Sequence, residues 1–235
     1  YQTPVYILSD LAMAVTEQTF PPEVFDMDEV EINRGKVVDE DSIEEWQDDA
    51  GHFKPHAITE DGVSPRAFPG TEEGAHMSTG LEHDELGRRT ESTDMRIEQV
   101  DKRNRKVETA REEEELSPRE FGDEDSDNLV VSWGSNEGAL REAIDLLEDD
   151  GVDIRVLSVP YLFPRPDLTE EFERAEEVVV VECNATGQFA DVLEHDTLQR
   201  VQRVNKYNGV RFKADELAGE LKEALGIVDE AEVQA

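Results

Sequence analysis

The sequence predicts an α/β protein whose last hundred or so residues form a doubly wound parallel sheet. Apolar runs at 129–133, 153–159 and 177–183 are typical of buried strands, and helical segments at 138–148, 168–175 and 188–194 follow them. A short strand at 198–204 and a closing helix at 214–225 complete the pattern. Because strands that alternate with helices form a parallel sheet covered on both faces, the fold class follows from this order.

The first 22 residues predict one strand followed by one helix. Val-Tyr-Ile-Leu at 5–8 has the composition of a buried strand, and Ser9 and Asp10 can cap a helix over 11–19 that ends before Pro21 and Pro22. The chain has no initiator Met and opens on a strand without a partner. We therefore expect a C-terminal fragment whose sheet has lost its earlier strands.

Residues 23–87 show no sustained period of 2 or 3.6 and contain many acids, glycines and prolines. So long a structureless stretch predicts a functional excursion or a wrapping arm.

Residues 90–115 predict a helix and 116–127 a linker. Eight of the 23 basic residues crowd between 88 and 111. They indicate either a nucleic-acid-binding patch or ion pairs with acids of the same helix or a neighbouring subunit, and we favour the ion pairs.

The chain carries 59 acidic and 23 basic residues, a formal net charge of −36. This charge indicates either a disordered acidic protein or a surface adapted to concentrated salt. The buried-strand runs and the even spread of the acids favour salt adaptation. Repulsion of phosphate excludes nucleic acid as an expected partner, and without a spanning run or a signal peptide we expect the cytoplasm and no membrane. A single cysteine excludes a disulfide framework or an iron–sulfur site within the chain.

Two turns follow predicted strands, where α/β folds bind ligands or partners. Residues 132–138 contain Gly134, Ser135 and Asn136, which suit either an anion site, as in a stand-alone phosphate- or nucleotide-binding protein, or a plain tight turn. Residues 182–188 present Glu182, Asn184 and Gln188. Cys183, between them, is a nucleophile or, as we favour without a neighbouring histidine, a partly buried structural thiol.

The segment 79–87, Thr-Gly-Leu-Glu-His-Asp-Glu-Leu-Gly, places His83 among three carboxylates. Carboxylates favour the protonated imidazole, so this histidine is a candidate acid or base near neutral pH. A metal site fits poorly, because adjacent residues on an extended chain point apart. A solvated acidic loop is the remaining interpretation.

Several of these segments together resemble the alpha subunit of 2-oxoacid:ferredoxin oxidoreductases, and most closely the archaeal 2-oxoglutarate type. The matching residues are Ser64-Pro65-Arg66, Pro69-Gly70, the segment 79–87, Lys102-Arg103 with Lys106, Ser132-Trp133-Gly134-Ser135, and Glu182 with Asn184, Gly187 and Gln188. The resemblance implies three parts: 1–22, the end of a pyrimidine-binding thiamine-enzyme domain; 23–127, an irregular arm, basic helix and linker; and 128–235, a transketolase-C-like α/β domain.

The activity that the resemblance implies is oxidative decarboxylation of a 2-oxoacid, 2-oxoglutarate before others, to an acyl-CoA with reduction of ferredoxin. Thiamine diphosphate, Mg²⁺ and an iron–sulfur cluster are then held mainly by the beta subunit, with coenzyme A as co-substrate. The stretch that helps hold the cofactor's pyrimidine is absent, which implies that the chain is inactive alone. A non-catalytic assembly module, its acidic arm wrapping a partner, is the alternative that fold cannot exclude.

The resemblance also implies roles for residues. His83, with Glu82 and Glu85, lies near the catalytic cleft or subunit boundary, and Thr79 and Arg66 contact substrate, although Arg66 equally suits a structural ion pair. A further set would face coenzyme A or the partner subunit: Gly134, Ser135, Asn136, Glu182, Asn184, Gly187 and Gln188.

Overall fold

The computed structural model describes residues 1–227, so the last eight residues of the expected 128–235 domain lie outside it. The chain divides into two compact units. The arm unit comprises residues 1–6 and 19–114, and the sheet unit comprises residues 7–18 and 115–227. The helices and strands run in this order: α1 (Leu11–Val15), β1 (Val37–Val38), β2 (Arg66–Ala67), α2 (Thr93–Glu113), β3 (Arg119–Gly122), β4 (Asn128–Trp133), α3 (Glu137–Asp149), β5 (Arg155–Val159), α4 (Thr169–Arg174), β6 (Glu177–Glu182), α5 (Gln188–Thr197), β7 (Gln202–Asn205) and α6 (Ala214–Ala224).

The sheet unit contains a five-stranded sheet in the order β3-β5-β4-β6-β7. Strands β4 to β7 are parallel to one another, and β3 pairs antiparallel with β5. In the register of the sheet, Val131 lies between Leu157 on one side and Val180 on the other. The predicted parallel sheet is confirmed.

Helices cover both faces of this sheet. Alternate side chains of a strand point to opposite faces, so Val130 packs with Leu140 and Leu217 of α3 and α6, whereas Val131 packs with Phe172 and Leu193 of α4 and α5. These core side chains are almost completely buried, and burial of each contributes about 1.5–3 kcal/mol. The apolar strands and amphipathic helices thus produce the doubly wound arrangement.

Strand β3 lies within the predicted linker 116–127, so that prediction is wrong for Arg119–Gly122. The strand has no apolar run and is mostly exposed, and its order comes from pairing with β5. Arg155 of β5, 1% exposed, donates to Glu120 across the pair at 3.3 Å and also binds Glu171. Tertiary pairing therefore makes a strand that the local sequence does not indicate.

The predicted strand at residues 5–8 is also wrong. These residues are extended but belong to no strand, and their side chains are exposed, Ile7 by 90%. A strand needs a neighbour to accept its backbone hydrogen bonds, and no described strand lies beside this segment. Helix α1 follows as predicted but ends at Val15, and Asp10 caps it by accepting from the Met13 N–H at 3.0 Å.

The arm unit is largely irregular up to residue 92, as predicted, yet it is not an unpacked arm. Val38, Ile43, Phe53 and Ala67 form a small buried core, and β1 pairs with β2 beside it. Helix α2, capped by Ser92, confirms the helix predicted over 90–115.

Candidate functional site

The carboxyl ends of β4 and β6 bring the two predicted turns together. Gly134–Asn136 forms a 3₁₀ turn that begins with Gly134 at φ +72°, a conformation that favours glycine. The Asn136 amide, 3% exposed, donates to Ser132 Oγ at 3.2 Å, and that hydroxyl donates to the Val181 carbonyl at 2.9 Å. Asn136 therefore fastens the first turn to the end of β6.

Glu182 has a fully buried carboxylate that ties the second turn to the first. It accepts hydrogen bonds from Trp133 Nε1 at 3.2 Å, from Asn184 Nδ2 at 2.7 Å, and from the Phe189 and Ala190 N–H groups at 2.9 Å each. The positive end of α5 and these four donors compensate the buried negative charge. The carboxylate of Glu182 is thus occupied in holding the turn.

Asn184 organises the rest of the second turn. Its Oδ1 accepts from the N–H groups of Thr186 and Gly187 at 3.1 and 2.7 Å, and its carbonyl accepts from Asn205 Nδ2 at 2.9 Å. Gln188 is exposed at the start of α5. The sequence found these turns but missed Asn205, because nothing local places it beside Asn184.

Cys183 lies between the two turns, with its thiol donating to Asn136 Oδ1 at 3.1 Å. The residue is exposed, yet burial around the sulfur is the largest cause that raises the pKa of the thiol, and the Asp10 carboxylate adds to it. A raised pKa leaves the sulfur protonated at neutral pH. This favours the structural thiol over the nucleophile.

A cavity of about 600 Å³ lies beside the first turn, where α3 and α6 begin. Ser135, Asn136, Phe212, Arg211 and Lys213 are among its lining residues. Sequence reasoning missed Arg211 and Lys213. The sequence does carry one sign of these two cations, because residues 198–214 contain no acid although the chain as a whole is rich in acids.

In the arm unit, the loop 79–87 is an ordered turn. The Thr79 N–H donates to the Gly87 carbonyl at 3.3 Å, the Asp84 N–H donates to the Arg88 carbonyl at 2.9 Å, and Asp84 Oδ1 accepts from the Leu86 N–H at 3.0 Å. Gly87 has φ +77°, and a Cβ there would lie 1.8 Å from the Met77 carbonyl oxygen. Backbone bonds and this glycine therefore fix the position of His83.

The carboxylates of Glu82 and Glu85 attach the loop to other segments. Arg103 of α2 donates to Glu82 through both terminal nitrogens at 3.1 Å and holds the pKa of that carboxyl below its ordinary value. Glu85 accepts from the Ile58 N–H at 3.0 Å and lies 3.6 Å from Lys54 Nζ. Both predicted catalytic carboxylates thus hold the loop in place.

His83 stacks on His56, with ring centroids 3.7 Å apart and an angle of 22° between the planes. His83 Nδ1 and Thr79 Oγ1 are buried and have no hydrogen-bond partner among the described residues. Burial, followed by the charges of His83 and Lys102, lowers the pKa of His56 to about 4. Sequence reasoning missed His56, because nothing local links residues so far apart in the chain.

Helix α2 binds the backbone of His56. Lys102 is almost completely buried and donates to the His56 carbonyl and to Ser64 Oγ at 2.9 Å each, while Gln99 Nε2 donates to the same carbonyl at 3.0 Å. Burial and the nearby Lys106 and Arg103 charges lower the pKa of Lys102 to about 8. Helix α2 therefore holds His56, on which the ring of His83 stacks.

Arg66 lies on β2 with an exposed side chain, its guanidinium 5.2 Å from the Phe68 ring centroid. Within residues 1–227 no carboxylate pairs with it. The structural ion pair proposed for it is therefore not formed inside the described chain.

The cations of α2 behave partly as predicted. Arg111 pairs with Glu108 one turn earlier on the same helix at 2.8 Å. Arg96 and Arg103, however, bind Glu82 of the loop, and Arg105 donates to the Thr59 carbonyl. These cations of α2 therefore bind the irregular segment.

Among residues 1–227, every helix is too short or too polar to span a bilayer.

A family model and two known proteins, among others, match this chain in sequence. Residues 126–217 match the family described as pyruvate:ferredoxin oxidoreductase core domain II. Subunit alpha of 2-oxoacid:ferredoxin oxidoreductase 2 from Aeropyrum pernix is 35% identical over 232 residues, which cover 96% of this chain and 34% of the relative. A 2-oxoglutarate oxidoreductase subunit from Mycobacterium tuberculosis is 37% identical over 102 residues, 43% of this chain and 16% of the relative.

A solved structure resembles this chain in fold as well as in sequence. The 2-oxoglutarate:ferredoxin oxidoreductase from Magnetococcus marinus, with 2-oxoglutarate, coenzyme A and succinyl-CoA bound, superimposes with a TM-score of 0.68. It is 28% identical and covers 72% of this chain and 30% of that chain. In sequence, this chain covers 34% of the Aeropyrum relative, which is about one third of that relative's length.

Proposed function

Since the chain is a homologue of the alpha subunits of 2-oxoacid:ferredoxin oxidoreductases, we propose that it forms part of an enzyme that oxidatively decarboxylates a 2-oxoacid to an acyl-CoA and reduces ferredoxin. The observation that carries this proposal is the 35% identity to the Aeropyrum subunit over 96% of the chain. 2-Oxoglutarate is the proposed substrate, because the Magnetococcus and Mycobacterium relatives are named for it.

The donor atoms of this chain do not fit the metal cofactors of such an enzyme. A cluster requires several thiolates, and the sequence has one cysteine. No group of three His, Cys, Asp or Glu side chains within the described residues could hold a metal ion. The resemblance to this family implies that thiamine diphosphate, Mg²⁺ and the iron–sulfur cluster are held mainly by the beta subunit. Ferredoxin and coenzyme A are the further proposed partners, in a cytoplasmic, salt-adapted enzyme.

The contribution of this chain is then to position polar groups at the boundary with that subunit. His83 is the proposed anchor or proton carrier, because its Nδ1 has no hydrogen-bond partner within residues 1–227 and its loop is held by Glu82 and Glu85. Thr79 Oγ1 is likewise without a partner in that part of the chain, and the exposed guanidinium of Arg66 suits a substrate carboxylate. The turns at 134–136 and 184–188, braced by Glu182, would face coenzyme A or the partner subunit.

The test uses the full-length alpha subunit assembled with its beta subunit. We expect reduction of ferredoxin or a viologen dye that depends on both 2-oxoglutarate and coenzyme A, with pyruvate and a branched-chain 2-oxoacid as comparison substrates. His83→Gln should lower kcat by about 100-fold, the lower range for a group that transfers a proton. His52→Gln is the matched control, because His52 is an exposed histidine of the same unit.

One result would count against this function: a native complex that lacks any thiamine diphosphate-binding, iron–sulfur subunit. A separate result would count against the role of the loop 79–87. If a His83→Gln and Glu85→Gln double variant keeps both 2-oxoacid-dependent reduction of the dye and assembly, the loop has neither a catalytic nor an assembly role. If that variant loses only assembly, the non-catalytic module becomes the better description of this chain.

A further inference from the structure

The turns at the carboxyl edge of the sheet interrupt the acidic character of the chain. Strands β4, β5, β6 and β7 are parallel, so the segments that follow them lie along one edge. These segments, 134–136, 160–168, 183–187 and 206–213, together hold 25 residues, and Asp167 is their single acid. In the whole chain 59 of 235 residues are acids, about one in four.

The opposite edge of the same sheet is rich in acids. The segments that precede the four strands, 123–127, 150–154, 175–176 and 198–201, hold 16 residues, of which seven are acids. An acidic surface is the rule for this chain, and the carboxyl edge departs from it. Such a departure indicates that the carboxyl edge is not simply solvated in the way that the rest of the surface is.

Large apolar side chains are exposed in the segments that follow β5 and β7, whereas the first turn also receives an acid from elsewhere in the chain, Asp10, which binds Ser135. Phe163 and Tyr161 follow β5 and are 69% and 49% exposed, and Tyr207 and Val210 follow β7 and are 72% and 59% exposed. Strands β5 and β7 are three strand spacings apart, so these two pairs lie roughly 14 Å from each other across the edge. Exposed aromatic side chains depleted of neighbouring acids are typical of the centre of a protein–protein interface.

Four cations lie in the same two segments as these apolar side chains. Arg165 and Lys206 are paired with Asp196 and Glu216. Arg211 and Lys213 are exposed and form no ion pair with any carboxylate that the structure describes. They attract negative charge, and a surface that meets them needs carboxylates at its rim.

We propose that the carboxyl edge of the sheet is a docking surface for another polypeptide of the oxidoreductase complex, one that presents an apolar patch rimmed by carboxylates. This proposal rests on the proposed function for the existence of that complex. A second copy fits poorly edge to edge, because the same cations would face each other. A small anion in the neighbouring cavity fits less well, because Glu142 and Asp215 also line it and it leaves Phe163 and Tyr207 uncovered.

The experiment uses the full-length protein in its native complex. The double variant Phe163→Ser/Tyr207→Ser should weaken binding of the partner polypeptide by at least about 30-fold, the effect of losing an interface hot spot. Arg211→Glu should also weaken binding of the partner polypeptide, and this weakening should grow as the ionic strength falls. Leu198→Ser is the matched control: Leu198 is 88% exposed at the opposite edge of the same sheet and should change nothing. Circular dichroism confirms folding, which surface substitutions of this kind preserve.

Native mass spectrometry measures subunit composition, and hydroxyl-radical labelling measures the accessibility of Tyr161 and Tyr207. Loss of the partner together with increased labelling supports the docking surface. Unchanged assembly in both edge variants overturns it, as does unchanged assembly with a raised KM for coenzyme A, or head-to-tail association of copies of this protein. A complex that docks here but shows no 2-oxoacid-dependent reduction leaves the surface standing and rejects the proposed function.

Discussion

The imidazole rings of His56 and His83 stack at a centroid distance of 3.7 Å. The two residues belong to segments that approach each other because the His56 N–H donates to the Glu85 carbonyl at 3.1 Å. Lys102 binds the carbonyl of His56 from the other side. A neutral His56 ring is compatible with this cationic surrounding, whereas a protonated one would be repelled by the charge of Lys102.

Acidification should therefore loosen the loop 79–87. The pKa of His56 is about 4 in the folded chain against an ordinary 6.5, so the unfolded chain binds more protons between these values. Stability contributed by neutral His56 is complete above about pH 6.5 and is lost as the pH falls towards 4. The loss is on the order of 2 kcal/mol, reduced from the full shift because the ring is only half-buried.

Hydrogen exchange of the His56 and Ile58 amides, which bind Glu85, measures this loosening. The variant His56→Gln should remove most of the pH dependence, whereas His52→Gln, on an exposed ring, should leave it intact. Equal pH dependence in both variants would contradict the role of the stacked pair.

The substitution Gly87→Ala should disrupt the loop. Gly87 has φ +77°, and its new Cβ would meet the Met77 carbonyl oxygen at 1.8 Å, so the backbone must move. A cost of about 1–3 kcal/mol is expected for such strain, with a parallel fall in 2-oxoacid-dependent turnover of the full enzyme. Gly80→Ala is the control in the same loop, because nothing lies within 4 Å of its added Cβ. Similar losses in the two variants would show that Gly87 has no special role.

Removal of the Glu182 carboxylate should destabilise the sheet unit. Glu182→Ala leaves the buried N–H groups of Phe189 and Ala190 and the Trp133 indole without an acceptor. We expect the free energy of unfolding to fall by about 2–4 kcal/mol, from the lost helix cap and the unpaired donors. Glu177→Ala tests the same residue type at the exposed start of the same strand and should cost less than about 0.5 kcal/mol. Urea unfolding followed by tryptophan fluorescence, with Trp133 as reporter, measures both.

Concentrated salt should stabilise the protein. A formal charge of −36 repels itself strongly in dilute buffer, and the screening length shortens from about 10 Å at 0.1 M to about 3 Å at 1 M salt. Raising KCl from 0.1 to 2 M should increase the Tm by on the order of 10 °C, which corresponds to a few kcal/mol. An equal osmolality of a neutral osmolyte corrects for effects other than screening. A Tm that falls with KCl would reject salt adaptation.

Much of the sheet unit was predictable. The runs that form β4, β5 and β6 are rich in valine and leucine, because a parallel strand covered on both faces buries most of its side chains. The polar turns at Asn136 and Asn184 were found because they follow these strands. The role of Glu182 was not predictable from its neighbours alone, because one of its four donors, Trp133, comes from the other turn.

The sequence by itself determined the order of strands and helices, the acidic surface and the position of the polar turns, because burial leaves a periodic record along the chain. Only the tertiary structure decided that residues 5–8 have no neighbouring strand, that β3 pairs with β5, and that His83 stacks on His56. These features depend on which distant segments meet. A strand requires a partner's backbone and a stacked ring requires a second ring, and neither requirement is recorded in the residues next to it.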